Sequence, residues 1–147
     1  MKIKYNKDYY ENGVAKGISG YDNYRWIPEL TYPMAYSICR TLNIKQTHKV
    51  LEFGCAHGFL VKALNDFNID TYGLDVSRYA LSKVEPALKK KINLLKNNNI
   101  KKSLNKMKIN FKFDFIIAKD VFEHIEPNDL KRLLRQMSLI TKELFVV

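Results

Sequence analysis

The chain has 147 residues, near the commonest size for one domain, and its 46% apolar and 12% aromatic content is enough for a buried core and excludes a disordered chain. No apolar run approaches the roughly 20 residues of a membrane span, and Met1 to Asn6 lack the apolar core of a signal peptide, so the sequence reads as cytosolic, with no membrane partner. The formal charge of +10 is uneven: the ten lysines between Lys83 and Lys112 face only Glu85.

In chain order, a segment covering residues 1–43 comes first. Tyr5, Tyr9, Tyr10, Tyr21, Tyr24, Trp26, Tyr32 and Tyr36 crowd it, and Gly13, Gly17 and Gly20 break its first half. From Pro28 onward Leu30, Met34, Ile38 and Leu42 fall at helical spacing and predict a helix with one buried face. Residues 44–147 then alternate. Lys49 to Phe53 reads as a strand ending at Gly54, and Phe59 to Phe67 as a helix. Thr71 to Val76 is a second strand, followed by a helix that Ser77 caps. Lys91 to Leu95 is a weak third strand inside the basic region. Phe113 to Ala118 is a fourth, Asn128 to Ile140 an amphipathic helix, and Leu144 to Val147 a last apolar strand.

Strict alternation implies right-handed crossovers and a mostly parallel sheet in one α/β domain. Ligands of such sheets bind beyond the carboxyl ends of the strands, where strand order reverses. Three loops are thereby nominated, after Phe53, Leu74 and Ala118. Cys39 and Cys55 are the only thiols. Without CxxC spacing or clustered histidines they form neither a disulfide framework nor a metal site.

Each nominated loop carries chemistry. In Val50-Leu51-Glu52-Phe53-Gly54-Cys55-Ala56-His57-Gly58 a buried strand meets a glycine turn that lets a ligand approach the backbone. A dinucleotide fingerprint would place glycines at 54, 56 and 59, but Ala56 and Phe59 stand at two of these. Glu52 would also repel a phosphate, whereas it suits a cationic ligand. In Tyr72-Gly73-Leu74-Asp75-Val76-Ser77, Asp75 lies about twenty residues beyond the turn, where an acid grips ribose hydroxyls; a capping role is the alternative. The run from Phe113 to Ile125 delivers Asp120, Glu123 and His124 to the same sheet edge.

Together these segments resemble class I S-adenosylmethionine-dependent methyltransferases, the nearest group being small-molecule enzymes with a Glu-His-Ile motif, here Glu123-His124-Ile125. The resemblance implies a Rossmann-like three-layer sandwich with a five-stranded sheet of order 3-2-1-4-5, lacking strands 6 and 7, behind a helical N-terminal lid. It implies S-adenosylmethionine as cofactor, S-adenosylhomocysteine as product and no metal. Gly54, Cys55, Ala56, His57 and Gly58 would line the methionine moiety, with Glu52 at its amino group. Asp75 would hold the ribose, Val76 pack on adenine, and Asn99 and Ile100 flank that ring. Asp120 would sit near the transferred methyl. His124 is the candidate base, sharing a face with Asp120 at four-residue separation; a packed or capping histidine is the other reading. Tyr24, Arg25 and Trp26 are candidate lid residues, since aromatic faces attract a sulfonium.

Ala56 replaces a glycine of the usual turn and is expected at negative φ. The expected function is methyl transfer to a small-molecule oxygen or nitrogen acceptor. The alternatives are RNA methylation using the lysine-rich face and a protein that binds the cofactor without chemistry. No arginine interleaves with the lysines, so nucleic acid is not favoured. Ala118-Lys119-Asp120-Val121 also differs from the Asn/Asp-Pro-Pro-aromatic signature of DNA amino-methylating enzymes. An apolar last strand without a neighbour is a pairing liability, and a homodimer through it, or cover by the N-terminal segment, is expected.

Overall fold

The computed structural model describes residues 5–147, so Met1 to Lys4, on which the signal-peptide reading partly rests, lie outside the described residues. Two helices, α1 (Lys7–Glu11) and α2 (Pro28–Thr41), precede the alternating part. This runs β1 (Lys49–Phe53), α3 (Phe59–Asp66), β2 (Asp70–Asp75), α4 (Arg78–Ser82), β3 (Ile92–Leu94), α5 (Ile100–Lys106), β4 (Phe113–Ala118), α6 (Pro127–Ile140) and β5 (Thr141–Val146). All pairings are parallel, in the order β3-β2-β1-β4-β5, as expected. β1 therefore sits between β2 and β4, and the reversal of strand order opens a crevice at its carboxyl end.

Alternation along the central strands sorts the core into two layers. Leu51 and Phe53 of β1 face one way, with Leu74 and Ile116, onto Ile100 and Leu104 of α5 and Leu133 and Met137 of α6. Val50 faces the other way with Phe115 and Ile117, onto Ala35 and Ile38 of α2 and Leu60, Ala63 and Leu64 of α3. Each of the larger side chains among them (Leu, Ile, Val, Phe and Met) stabilises the fold by about 1.5–3 kcal/mol on burial. Truncating fully buried Ile116 or Leu51 to alanine costs about 2–5 kcal/mol.

Several boundaries differ from the sequence reading for local reasons. In α2 the buried stripe is Thr31, Ala35 and Ile38, while Leu30 is 66% exposed. The helix packs through its small residues, and Leu30 is left facing the crevice. α5 was not expected among the lysines; Asn99 caps it, its Oδ1 accepting from the Lys102 N–H at 2.9 Å. β5 starts at Thr141 rather than Leu144, because α6 passes directly into it and Thr141 pairs with Phe113. Ser77 does cap α4, accepting from the Ala80 N–H at 2.9 Å.

Among the described residues β5 pairs with β4 alone, leaving Leu144 and Val146 partly exposed. No described residue of the N-terminal segment pairs with that edge. Its tyrosines instead pack beside α4 and the β1 loop, Tyr10 lying 6.0 Å from Tyr79 and 5.1 Å from His57 between ring centroids. No described helix is long and apolar enough to cross a membrane.

Candidate functional site

The carboxyl ends of β1, β2 and β4 open into a cavity of about 1200 Å³, roofed by the tyrosine-rich segment. Glu52, the penultimate residue of β1, is buried on the α3 side of the sheet. Its Oε2 accepts from the Val61 N–H at 3.2 Å in the first turn of α3. Burial pushes its carboxyl up to about 8, opposed by that N–H; nearby Asp75 raises it further and Lys119 lowers it. In the free protein at neutral pH, Glu52 thus holds a proton that a cation would displace.

The loop after β1 turns sharply at Gly54, at φ +82°, where a Cβ would come 2.3 Å from Val121 Cγ2 of the β4 loop. Only glycine lets these two loops meet. The Gly54 and Cys55 N–H groups donate to the Leu74 carbonyl at 2.8 and 3.2 Å, tying this loop to β2. Ala56 takes φ +46°, not the negative value expected. Its N–H donates to Asp75 Oδ2 at 2.7 Å, and that bond holds the left-handed turn. Gly58, at φ +80°, starts α3, and a Cβ there would lie 2.4 Å from Ile92 Cδ1.

Asp75 ends β2. Its second oxygen, Oδ1, accepts from the Ser77 N–H at 2.7 Å. Burial raises its carboxyl above the ordinary range, opposed by the N–H groups of Ser77, Ala56 and Val76. With one backbone bond to each oxygen named here, the carboxylate keeps acceptor positions for hydroxyls in the cavity. Val76, 47% exposed, lies beside it on the lining.

The cavity brings together Glu52, Gly54, Cys55, Ala56, Asp75, Val76, Asp120, His124, Tyr24 and Arg25. Five expected residues lie off its lining. His57 is buried among Tyr10, Tyr24 and Phe59, its Nε2 without a hydrogen-bond partner among the described residues. Gly58 faces Ile92. Trp26 packs on Tyr32 and Phe59, with ring centroids at 5.4 and 5.6 Å. Asn99 and Ile100 are also displaced: Asn99 caps α5, and Ile100 is fully buried, donating its N–H to Gln136 Oε1 at 2.9 Å. Leu95, Asn97 and Asn98 take their place at the end of β3. Asn97 and Asn98 both have positive φ, which the run Asn97-Asn98-Asn99 signals, asparagine being tolerant of that conformation. Tyr5, Tyr9 and Tyr10 also line the cavity, and their crowding in the sequence was the available signal.

Asp120 takes φ +52° after β4; its N–H donates to the Val147 carbonyl at 2.8 Å, and its carboxylate pairs with Lys119. His124 does not share a face with Asp120. The segment is a short 3₁₀ turn, Phe122–His124, and His124 Nε2 instead lies 3.6 Å from Glu123 Oε1. The Tyr5 ring meets His124 edge-on at 6.4 Å. The Tyr5 hydroxyl is pushed up to about 12 by burial, with Tyr9, Asp75 and Glu123 adding to it, so it stays a neutral donor. Among the described residues there is no cluster of potential metal ligands.

This geometry can be set beside known proteins. A family model described as a methyltransferase domain matches residues 25–144. The chain belongs to the methyltransferase-domain family. Its fold is that of class I methyltransferases, as three solved structures illustrate. An S-adenosylmethionine-dependent methyltransferase from Clostridium acetobutylicum superposes with a TM-score of 0.59 at 19% identity, over 90% of this chain and 50% of that one. Coclaurine N-methyltransferase bound to N-methylheliamine and S-adenosylhomocysteine gives 0.59 at 18%, over 85% and 38%. Magnesium protoporphyrin IX methyltransferase from Synechocystis, with bound S-adenosylmethionine, gives 0.55 at 16%, over 78% and 57%. The chain spans about half the length of these methyltransferases. No curated protein matches the sequence.

Proposed function

We propose that this methyltransferase domain binds S-adenosylmethionine in the cavity and transfers its methyl group to a small-molecule oxygen or nitrogen acceptor. The observation that carries the reading is the placement of two buried carboxyl groups, Glu52 and Asp75, at the ends of adjacent strands on one cavity. The chemistry of the group fits these residues: a ribose offers hydroxyls to the free acceptor positions of Asp75, and an amino-acid ammonium offers Glu52 a cation. Gly54, packed against Val121, brings the loops after β1 and β4 together on the cavity. Val76 and Leu95 offer apolar surface to a purine.

When bound, the sulfonium supplies a methyl group already activated for transfer. The work left to the protein is alignment of the acceptor and exclusion of water. Tyr5, Tyr9, Tyr10 and Tyr24 roof the cavity and perform that exclusion. His124, on the cavity lining beside Glu123, is the residue we assign to receive a proton released by the acceptor.

Calorimetric titration with S-adenosylhomocysteine, alongside Asp75→Ala, tests the reading. Micromolar binding that the variant loses is the expected result. No binding to the intact chain would sink it, and binding without turnover on any oxygen or nitrogen acceptor would favour a non-catalytic cofactor-binding role.

A further inference from the structure

The cavity has a charge opposite to that of the molecule around it. In a chain of formal charge +10, its lining holds six carboxylates besides protonated Glu52, against Arg25 and Lys119, a formal −4. None of the ten lysines between Lys83 and Lys112 reaches it. Glu52 and Asp75 are buried on its floor, while Asp22, Asp120, Glu123, Glu126 and Asp129 are exposed or half-buried around it. Asp120 pairs with Lys119, and Asp129 with Arg132 at 2.6 Å. Among the described residues Glu123 meets only His124, and Asp22 and Glu126 form no salt bridge.

A second, independent feature shares this space. Half-buried Tyr5, Tyr21 and Tyr24 line the same cavity, with Tyr21 and Tyr24 ring centroids 4.7 Å apart at 58°. Tyrosine faces attract a cation and are indifferent or unfavourable to an anion. An acidic cleft in a low-dielectric wall focuses its field outward and concentrates cations at its mouth. A phosphate chain entering it would meet that field within a Debye length of about 8 Å.

We propose that the acceptor is a cationic amine, its ammonium group held between the mouth carboxylates and the tyrosine faces. The proposal rests on the methyl-transfer reading above and names its substrate class. The ammonium first loses one N–H proton to His124, which passes it to solvent. The amine nitrogen's lone pair then forms the new bond to the methyl carbon as the carbon–sulfur bond breaks, its electron pair remaining on sulfur as a neutral thioether. The product regains its charge as a methylated ammonium.

The test uses three probes of one shape: phenethylamine, 2-phenylethanol and phenylacetate. Their binding is followed by ligand-observed NMR, with and without saturating S-adenosylhomocysteine. Phenethylamine is expected to bind roughly tenfold more tightly than the alcohol, a difference that added salt reduces, and phenylacetate least of all. The double variant Asp22→Asn/Glu126→Gln should erase most of the amine preference and leave S-adenosylhomocysteine affinity unchanged. Equal binding of amine and alcohol, preference for phenylacetate, or displacement of the amine by a short RNA oligonucleotide overturns the acceptor proposal. Intact S-adenosylhomocysteine binding in those cases leaves the methyl-transfer reading standing. An amine preference in a chain that does not bind S-adenosylhomocysteine overturns both, leaving a cation pocket without a methyl donor.

Discussion

Asp75 Oδ2 accepts the Ala56 N–H at 2.7 Å, joining the end of β2 to the loop after β1 in a single charged hydrogen bond. The same carboxylate accepts the Ser77 N–H, so it shapes two loops of the cavity before any ligand arrives. Removing it orphans both N–H groups, each worth about 1–3 kcal/mol when left buried and unpaired. Asp75→Ala should therefore lower thermal stability as well as S-adenosylhomocysteine affinity. Asp75→Asn, which keeps one acceptor oxygen, should retain more stability than Asp75→Ala while still binding at least about tenfold more weakly. Melting curves and calorimetry on the two variants read these effects apart.

Ala56 sits at φ +46°, where a Cβ costs about 1–2 kcal/mol. Ala56→Gly relieves that cost and gives back part of it as unfolded-chain entropy. The expected outcome is a rise in stability of about 0.5–1 kcal/mol, a few degrees in melting temperature, measured by thermal denaturation. Unchanged or lowered stability would show that this turn carries no strain.

At Gly54 both the positive φ and the contact with Val121 forbid a side chain. Gly54→Ala should destabilise by about 2–4 kcal/mol and abolish cofactor binding. Adding Val121→Ala removes the clash and leaves the φ cost, so the double variant should recover stability in part. Full recovery would mean that the clash alone matters.

Glu52 gives the pH dependence. Its folded carboxyl titrates at about 8 against an ordinary 4.5, so the folded chain keeps a proton that the unfolded chain loses. That stability is complete below about pH 4.5 and is lost as pH rises through about 8. An ammonium ligand prefers the ionised form. S-adenosylhomocysteine affinity should thus rise from pH 6 toward 8, by at most about tenfold per pH unit, and then level off. Glu52→Gln should flatten both profiles and weaken binding at every pH.

His57 acts with the opposite sign at lower pH. Burial, helped by Lys83, lowers its imidazole to about 4 from 6.5, so the folded state resists a proton that the unfolded state takes up. Stability should fall as pH drops through 6.5 and the loss should level off near 4, reaching roughly 3 kcal/mol. His57→Phe should remove this acid-side slope and leave the Glu52-dependent slope in place, as melting temperatures across pH would report.

The sequence by itself determined the layered fold and the two carboxylates of the site. Alternation in Val50 to Phe53 and Phe113 to Ala118 is a local signal of buried strands, and spacing alone carries Glu52 and Asp75 to the ends of neighbours in the sheet. Ser77 was readable because a cap hydrogen-bonds within its own turn. The tertiary structure decided everything that depends on which way a loop side chain points. It put Leu95, Asn97 and Asn98 on the cavity instead of Asn99 and Ile100, because a helix starts at Ile100 and turns those residues toward Lys102 and Gln136. It turned Ala35 rather than Met34 into the core, sent His57 and Trp26 into aromatic packing, and set His124 beside Glu123 rather than Asp120. It also brought Asp22 onto one cavity with Glu123 and Glu126, which lie far from it in the chain. Local hydrogen bonding and side-chain period are written into adjacent residues, whereas the field in a cavity is a sum over segments that only the packed sheet brings together.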